Sequence, residues 1–306
     1  MPTTHAVAAP TDLTASPTEP DPTTIGRLLV HCRDQAGIVA AISSFLAERG
    51  ANIVELTQYS TSSDSGEFFQ RTVFHLPDLQ ETKEDFAVQF GERIASRFDM
   101  DWTLNDAATR KRVAIFVSKY DHCLMDLLWR SRRGDLDIDI AMVVSNHRDH
   151  GAAVRSFGIP FFYTPLDKQG KEAMETQQLD LVTGNVDLVV LARYMQILST
   201  DFLEKVGVPV INIHHSFLPA FMGANPYARA KDRGVKLIGA TAHYATPDLD
   251  EGPIIEQDVV RVTHSETAAE LQRRGADVER SVLARAVRWH SEDRVVISGR
   301  STVVLT

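Results

Sequence analysis

The sequence predicts an α/β protein in which a small antiparallel βαββαβ unit precedes a larger, doubly wound and mostly parallel sheet. The chain of 306 residues is long for one ordinary domain and suits two. In the first third of the chain, segments whose apolar residues have the spacing of a strand alternate with segments whose apolar residues have the spacing of a helix. After residue 112, whole strands are apolar, which is typical of strands buried on both faces of a parallel sheet.

The charge and the cysteine content exclude several classes of protein. There are 32 Lys and Arg residues against 41 Asp and Glu residues, which gives a formal charge of −9. A surface of that sign repels phosphate backbones, so no nucleic-acid partner is expected. Cys32 and Cys123 are too few for a disulfide framework and fit a reducing, cytoplasmic compartment. No apolar run approaches the roughly 20 residues that span a bilayer, so no membrane partner is expected either.

Residues 1–24 are predicted to be a disordered tail. They are rich in proline and threonine and contain no lysine or arginine, so they lack the features of a signal or transit peptide. The polar and basic stretch 105–112 is the natural linker between the two folded units. We therefore place a first domain at 25–105 and a second domain at 106–306.

Apolar spacing predicts each element of the first domain in turn. Residues 27–31 form a strand, and 38–49 carry one apolar stripe at helical spacing, with Gly50 ending the helix. Two further strands form a hairpin around a polar turn, a second amphipathic helix follows, and a last strand closes the order βαββαβ. These elements are predicted at 51–60, 68–76, 83–97 and 99–104, with the hairpin turn at 62–66.

Residues 33–40 (RDQAGIVA) and 50–53 (GANI) make the first domain similar to an ACT domain, which has a ferredoxin-like fold. In that family the turn after the first strand and the face of the next helix form an amino-acid effector site, usually between paired domains. The resemblance implies a homo-oligomer and an amino-acid effector as a partner. It places the effector site at Asp34, Gly37, Ile38 and Asn52. A module that serves assembly alone remains the alternative.

The strands of the second domain end where chemistry is expected. Four continuous apolar runs are separated by segments of helical length, so the domain is doubly wound, and ligands of such folds bind beyond the carboxyl ends of the strands. The runs are 113–117, 138–144, 186–191 and 208–213, and the helical segments lie around 121–132, 147–156, 168–184 and 199–205.

Three polar residues, two at the end of one strand and one in a later turn, have the chemistry of acyl transfer. Asn212 and His214 are two residues apart, so on a strand they share a face. The amide stabilises an oxyanion and the imidazole moves a proton at neutral pH. Asp250 lies in a turn before another apolar strand. If its carboxylate contacts His214, it would hold the imidazole ring in one orientation and stabilise its charged form. Taken singly, each residue could equally be a strand-end or turn residue with no chemical role.

Residues 211–219 (INIHHSFLP) and 248–252 (DLDEG) resemble the superfamily of 10-formyltetrahydrofolate hydrolases and formyltransferases. Its catalytic Asn, His and Asp positions fall on Asn212, His214 and Asp250. A third matching segment, 191–198 (LARYMQIL), builds the pterin pocket in this superfamily. The resemblance covers about 112–306 and implies a formyltransferase-like sheet. The folate-binding residues it implies are Leu191, Gln196 (through its backbone), Ile197, Leu198, Phe202, Thr246, Pro247, Asp248 and Leu249.

Within this superfamily the residues favour the hydrolase branch. The glycinamide ribonucleotide branch needs a phosphate loop after its first strand, but 118–128 contains no glycine and includes Asp121 and Asp126. The tRNA branch needs a basic extension, whereas this chain carries a charge of −9 and ends at Thr306. The resemblance implies hydrolysis of 10-formyltetrahydrofolate to tetrahydrofolate and formate, with no cofactor besides the folate substrate. The alternatives are a folate-dependent formyltransferase of the ribonucleotide type and a non-catalytic folate or amino-acid sensor.

Supporting residues are expected around the three catalytic candidates. Those proposed for a second layer are Lys119, His122, His215 and His243. A metal could in principle be held by His122, His214, His215 and Asp250, but no His-x-x-x-His or Cys-x-x-Cys spacing supports one, so no metal is predicted. The folate glutamate tail needs local positive charge, for which Arg193 and Lys119 are the candidates.

Overall fold

The computed structural model describes residues 21–62, 66–168, 170–219 and 226–306. Most of the predicted tail (1–20) and the centre of the predicted hairpin turn (63–65) lie outside the described residues. The last residues of the predicted tail are ordered, because Pro22–Thr24 form a short 3-10 helix capped by the side chain of Asp21. The amide of Leu76 donates to the carbonyl of Thr24, which ties this turn to the first domain.

The first domain has the predicted βαββαβ order. Its sheet has the strand order β2-β3-β1-β4, and every strand pair is antiparallel. The strands are β1 (Ile25–Arg33), β2 (Asn52–Ser60), β3 (Glu67–His75) and β4 (Asp101–Asp106). The helices are α1 (Ile38–Glu48), α2 (Leu79–Phe90), a π-helical turn (Gly91–Ala95) and α3 (Ser96–Phe98).

Aromatic side chains form the core between this sheet and its helices. Phe45 meets Phe86 edge to face with ring centroids 5.1 Å apart, and Phe74 stacks on Phe86 at 5.3 Å. Each of these rings is 1% exposed or less. Because buried aromatic rings remove large apolar areas from water, this cluster holds α1 and α2 on one face of the sheet.

The second domain has a seven-stranded sheet with the order β11-β10-β9-β8-β5-β6-β7. β5 to β9 are parallel, and β10 and β11 extend the sheet antiparallel, so it is mostly parallel as predicted. The strands are β5 (Lys111–Val117), β6 (Ile138–Ser145), β7 (Phe161–Tyr163), β8 (Leu188–Leu191), β9 (Val210–His214), β10 (Leu237–Tyr244) and β11 (Ile254–Arg261). The helices are α4 (His122–Arg133), α5 (Gly151–Ser156), α6 (Gly170–Val182), α7 (Thr200–Lys205), α8 (Pro226–Asp232) and α9 (Ala268–Ser291).

Helix α9 is the largest element that the sequence analysis did not predict. It begins with a capping box, in which the Thr267 side chain accepts from the Glu270 amide and the Glu270 side chain accepts from the Thr267 amide. This Thr-x-x-Glu spacing is a signal from which its start could have been found. Val282, Leu283 and Val287 of α9 are buried in the core beside the central strands. Among the described residues, no helix has the length and apolarity required to traverse a membrane.

The two domains meet through a polar seam at the end of the chain. After α9, β12 (Val295–Ser298) and β13 (Ser301–Val304) form a hairpin. Arg71 on β3, 3% exposed, donates to the carbonyl of Glu292 and pairs with Glu55 on β2 at 2.8 Å. Arg294 pairs with the same Glu55 carboxylate at 3.1 Å. The seam therefore connects the carboxyl end of α9 directly to the first domain.

Candidate active site

The carboxyl ends of β8 and β9 and the loop between β10 and β11 enclose a cavity of about 620 Å³. Parallel strands end at a common edge of the sheet, and β9 lies between β8 and β10. Asn212, His214 and Asp250 all line this cavity. The expected folate-binding residues that line it are Leu191, Gln196, Ile197, Leu198, Thr246, Pro247 and Leu249.

His214 and Asp250 form a directed pair. The Nδ1 atom of His214 lies 3.1 Å from Oδ1 of Asp250, and both side chains are largely buried. Burial by itself raises the pKa of Asp250, but the hydrogen bond from His214 and the neighbouring imidazoles hold that pKa below its usual value. Because Nδ1 faces the carboxylate, Nε2 is left for the cavity, where it is buried and has no hydrogen-bond partner among the described residues.

The Asn212 amide is oriented by His243. Its Nδ2 lies 3.1 Å from Nε2 of His243, and Nδ1 of His243 donates to the carbonyl of Tyr244 at 2.9 Å. That donation assigns the proton to Nδ1, so Nε2 accepts from the amide. Burial lowers the pKa of His243, which keeps its ring neutral and able to accept. One N–H of Asn212 remains for the cavity.

Of the other residues predicted for a second layer, one lines the cavity and two do not. His215 lines the cavity, with its ring centroid 5.2 Å from that of His214, and burial together with the charge of Arg193 lowers its pKa to about 4. His122 instead lies 2.7 Å from a carboxylate oxygen of Glu279. Lys119 is exposed and is not part of the cavity wall that the structure describes.

Two of the expected folate-binding residues lie elsewhere. Phe202 is fully buried in the core, with its ring centroid 6.1 Å from that of Phe116, because it faces the sheet from α7. Asp248 is exposed, and its backbone carbonyl accepts from the Thr246 hydroxyl at 3.0 Å. Its role is to close the turn that presents Asp250, which itself has a left-handed φ of 59°.

Sequence reasoning missed a buried network around Glu279 that reaches the cavity wall through Arg193 and Tyr227. Glu279 of α9 is 1% exposed, and its oxygens lie 2.6 Å from the Tyr227 hydroxyl and 2.7 Å from Nε2 of His122. Nε of Arg193 is 3.4 Å from Glu279, and the Arg193 guanidinium lies over the Tyr120 ring at 5.0 Å. Burial raises the pKa of Glu279, but His122 and Arg193 lower it further than burial raises it. The sequence analysis gave Glu279 no role because it did not predict α9, the helix that carries this residue.

One group of described residues has metal-ligand chemistry. The ligand atoms of His122, Cys123 and Glu279 lie within 4.8 Å of one another. Both oxygens of Glu279 already hold hydrogen bonds, and burial raises the pKa of the Cys123 thiol well above its usual value. The Arg193 cation beside this group also opposes a second cation. The donor set therefore fits a metal poorly.

The residues predicted to form the effector site lie at opposite ends of the first sheet. Gly37 has a left-handed φ of 95° at the start of α1, beside Asp34 in the loop that follows β1. Ile38 is 2% exposed and faces the core. Asn52 pairs with His75, at the end of the sheet opposite to that loop. Within one chain the four residues therefore do not gather, because α1 carries the chain back along the length of β1.

Comparisons with known proteins agree with both domains. The chain matches the family model described as "Formyl transferase" over residues 111–287 and the model described as "ACT domain" over residues 26–88. It is 56% identical over 300 residues to a formyltetrahydrofolate deformylase of Mycobacterium bovis, covering 95% of this chain and 97% of that one. A relative with the same name from Bacillus subtilis is 53% identical, with 91% and 93% covered.

A solved structure is similar over almost the whole chain. The crystal structure of a formyltetrahydrofolate deformylase from Pseudomonas syringae pv. tomato has a TM-score of 0.86 and 47% identity, covering 92% of this chain and 94% of that chain. Fold and site thus define a protein of the formyl transferase class with an ACT domain in front. More narrowly, the chain belongs to the formyltetrahydrofolate deformylase family.

Proposed function

We propose that the protein hydrolyses 10-formyltetrahydrofolate to tetrahydrofolate and formate. The observation that carries this proposal is the pairing of His214 Nδ1 with Asp250 at 3.1 Å, which leaves Nε2 facing a cavity beside the Asn212 amide. A proton carrier and an amide donor on one side of a cavity are the groups needed for water to attack an acyl carbon. The names of the relatives support the choice of substrate.

The residues divide the reaction between them. Nε2 of His214 accepts a proton from the attacking water and delivers it to N10 as the carbon–nitrogen bond breaks. Asp250 keeps Nδ1 protonated and stabilises the imidazolium that forms between these steps. The free N–H of Asn212 donates to the oxyanion of the tetrahedral intermediate. The pterin lies against the segment 191–198.

The test is formate release from 10-formyltetrahydrofolate by the purified protein, measured with and without glycinamide ribonucleotide. We expect a rate that does not depend on the ribonucleotide. His214→Ala and Asn212→Ala should each lower kcat by about 10²–10³-fold. His264→Ala, at an exposed histidine outside the cavity, is the matched control. A rate that requires the ribonucleotide would assign a transferase, and folate binding without turnover would assign a sensor.

The first domain is proposed to provide assembly and an amino-acid effector site. The edge strand β2 exposes Val54, Leu56 and Tyr59, which are 59%, 38% and 51% exposed. An apolar edge strand favours pairing with a second copy, so we propose a homo-oligomer. A second copy would also supply the distant Asn52 to the loop at Asp34. Two free, buried cysteines support a cytoplasmic location.

A further inference from the structure

Arg193 is placed on the cavity wall by its backbone. It follows β8 with a left-handed φ of 62°, which is unfavourable for a residue with a side chain. Its carbonyl accepts from the Ser118 amide, and the Ser118 hydroxyl accepts from the Met195 amide at 2.9 Å. These bonds on either side of Arg193 hold the strained turn to the end of β5. The side chain is 6% exposed and lines the cavity.

The buried guanidinium has donors without acceptors. Nε and Nη1 of Arg193 have no hydrogen-bond partner among the described residues. Glu279, the nearest carboxylate, is 3.4 Å from Nε, and its two oxygens accept from Tyr227 and His122 instead. A buried donor without an acceptor is unfavourable, and more so on a charged group. A group of this kind in a cavity wall is satisfied when a ligand with acceptor oxygens binds.

Arg193 is the positive charge that the cavity wall offers to an anion, in a surrounding that also holds the ionised carboxylates of Asp250 and Glu279. It is the only permanently charged cation among the described residues of the cavity wall. The neighbouring His215 is neutral at pH 7, because burial and Arg193 lower its pKa to about 4. A planar guanidinium binds a carboxylate through two parallel N–H donors. A carboxylate is therefore a ligand class that suits this wall.

Hydrolysis creates a carboxylate in this cavity. Under the proposed function, the bond from the formyl carbon to N10 breaks and a bond from that carbon to the water oxygen forms. One proton of the water reaches N10 through His214, and the second is lost when formic acid ionises. A neutral formamide thus becomes an amine and an anion. The formate anion therefore needs a positively charged partner, which the neutral formyl group of the substrate does not need.

We propose that Arg193 forms a product subsite, in which its free N–H donors receive the carboxylate of formate after the carbon–nitrogen bond breaks. The inference rests on the proposed function. The glutamate tail of folate has carboxylates too, but the cavity has an exposed rim at Met195, Ile197 and Leu249, which are 52%, 61% and 57% exposed. A long tail leaves by that rim, whereas Arg193 is buried between Tyr120 and Glu279 and suits a small anion.

Product inhibition tests the subsite. The probe is sodium formate, added during measurement of tetrahydrofolate formation, with sodium chloride at equal ionic strength as the salt control. We expect formate to inhibit the protein, and Arg193→Gln to raise the formate inhibition constant by about tenfold or more. Arg193→Lys keeps the charge without the planar fork and should give an intermediate constant. Arg273→Gln, at a side chain that is 72% exposed on α9, should leave the constant unchanged.

A second substrate distinguishes the two sources of carboxylate. 10-Formyltetrahydropteroate lacks the glutamate tail. If Arg193→Gln raises KM only for the substrate with glutamate and leaves formate inhibition unaltered, Arg193 binds the tail and the proposal is wrong. Equal formate inhibition of wild type and both Arg193 variants with both substrates would also overturn it.

Formate binding is measured separately from turnover by the rise in Tm that formate produces. We expect a rise for the wild type and for Arg273→Gln, and a smaller rise for Arg193→Lys. This measurement keeps the inference testable if Arg193→Gln does not fold, since Arg193→Lys retains the cation. Formate binding that depends on Arg193, without hydrolysis, would refute the proposed function alone. If the protein hydrolyses the substrate but formate raises the Tm of the wild type and of the Arg193 variants equally, the subsite alone is refuted.

Discussion

The side-chain amide of Asn212 donates a hydrogen bond of 3.1 Å to Nε2 of His243, and this contact sets the direction in which the amide faces the cavity. The His243 ring is itself held by its bond to the Tyr244 carbonyl. The His243 ring and the Tyr244 carbonyl thus fix the orientation of the Asn212 amide. His243 is in these terms a positioning residue.

Removing that support should lower turnover more than binding. In His243→Ala the Asn212 amide can rotate, so its remaining N–H no longer points at the developing oxyanion. We expect kcat to fall by about 10–100-fold, less than the loss of the donor itself, with KM changed by less than about threefold. Steady-state kinetics check this split. A larger effect on KM than on kcat would mean that His243 acts on folate binding.

The charge of Asp250 should be visible in the pH dependence of stability. The pKa of Asp250 in the folded protein lies below its unfolded value, so its ionised form stabilises the fold at higher pH. That contribution is complete above about pH 5 and is lost as the pH falls through the folded pKa. The difference in Tm between wild type and Asp250→Asn should therefore shrink from pH 7 to pH 3.5. A constant difference would contradict the stabilisation of the Asp250 carboxylate by its hydrogen bond from His214.

The polar seam between the domains should contribute measurably to stability. Arg71 is 3% exposed, and Arg71→Gln removes its two N–H donors to the Glu292 carbonyl and its one N–H donor to the Glu55 carboxylate. We expect the free energy of unfolding to fall by about 2–3 kcal/mol. The control is Arg93→Gln, which breaks a salt bridge between Arg93 and Glu48, side chains that are 50% and 56% exposed. This variant should lower the free energy of unfolding by less than about 1 kcal/mol. Chemical denaturation compares the two variants.

Gly275 on α9 should resist substitution although alanine favours helices. A Cβ at this position would overlap the ring and hydroxyl of Tyr227, which donates to Glu279. We expect Gly275→Ala to destabilise the protein by about 1–3 kcal/mol, despite a helical preference of about 1 kcal/mol for alanine. Gly91→Ala is the control, since a Cβ there meets Trp102 at 3.5 Å, an ordinary contact. Thermal unfolding of both variants decides the matter, and equal Tm values would contradict the predicted clash.

Local patterns were sufficient for the elements that depend on neighbouring residues. The Gly50 stop, the hairpin of the first domain and the apolar runs of the parallel sheet all follow from spacing over a few residues, and the structure contains them. Phe202 shows the limit of the same reasoning. It lies near the matched pocket segment in sequence, yet α7 turns it toward Phe116 in the core.

The sequence alone determined the two-domain α/β order and the shared face of Asn212 and His214, because strand periodicity acts over two residues. Only the tertiary structure decided that Asp250 meets His214, that Glu279 joins Arg193 from a helix 86 residues further along the chain, and that Asn52 lies away from Asp34. The reason is physical. These contacts depend on how whole helices and strands pack, and packing is set by the shape of a buried core that no short stretch of sequence contains.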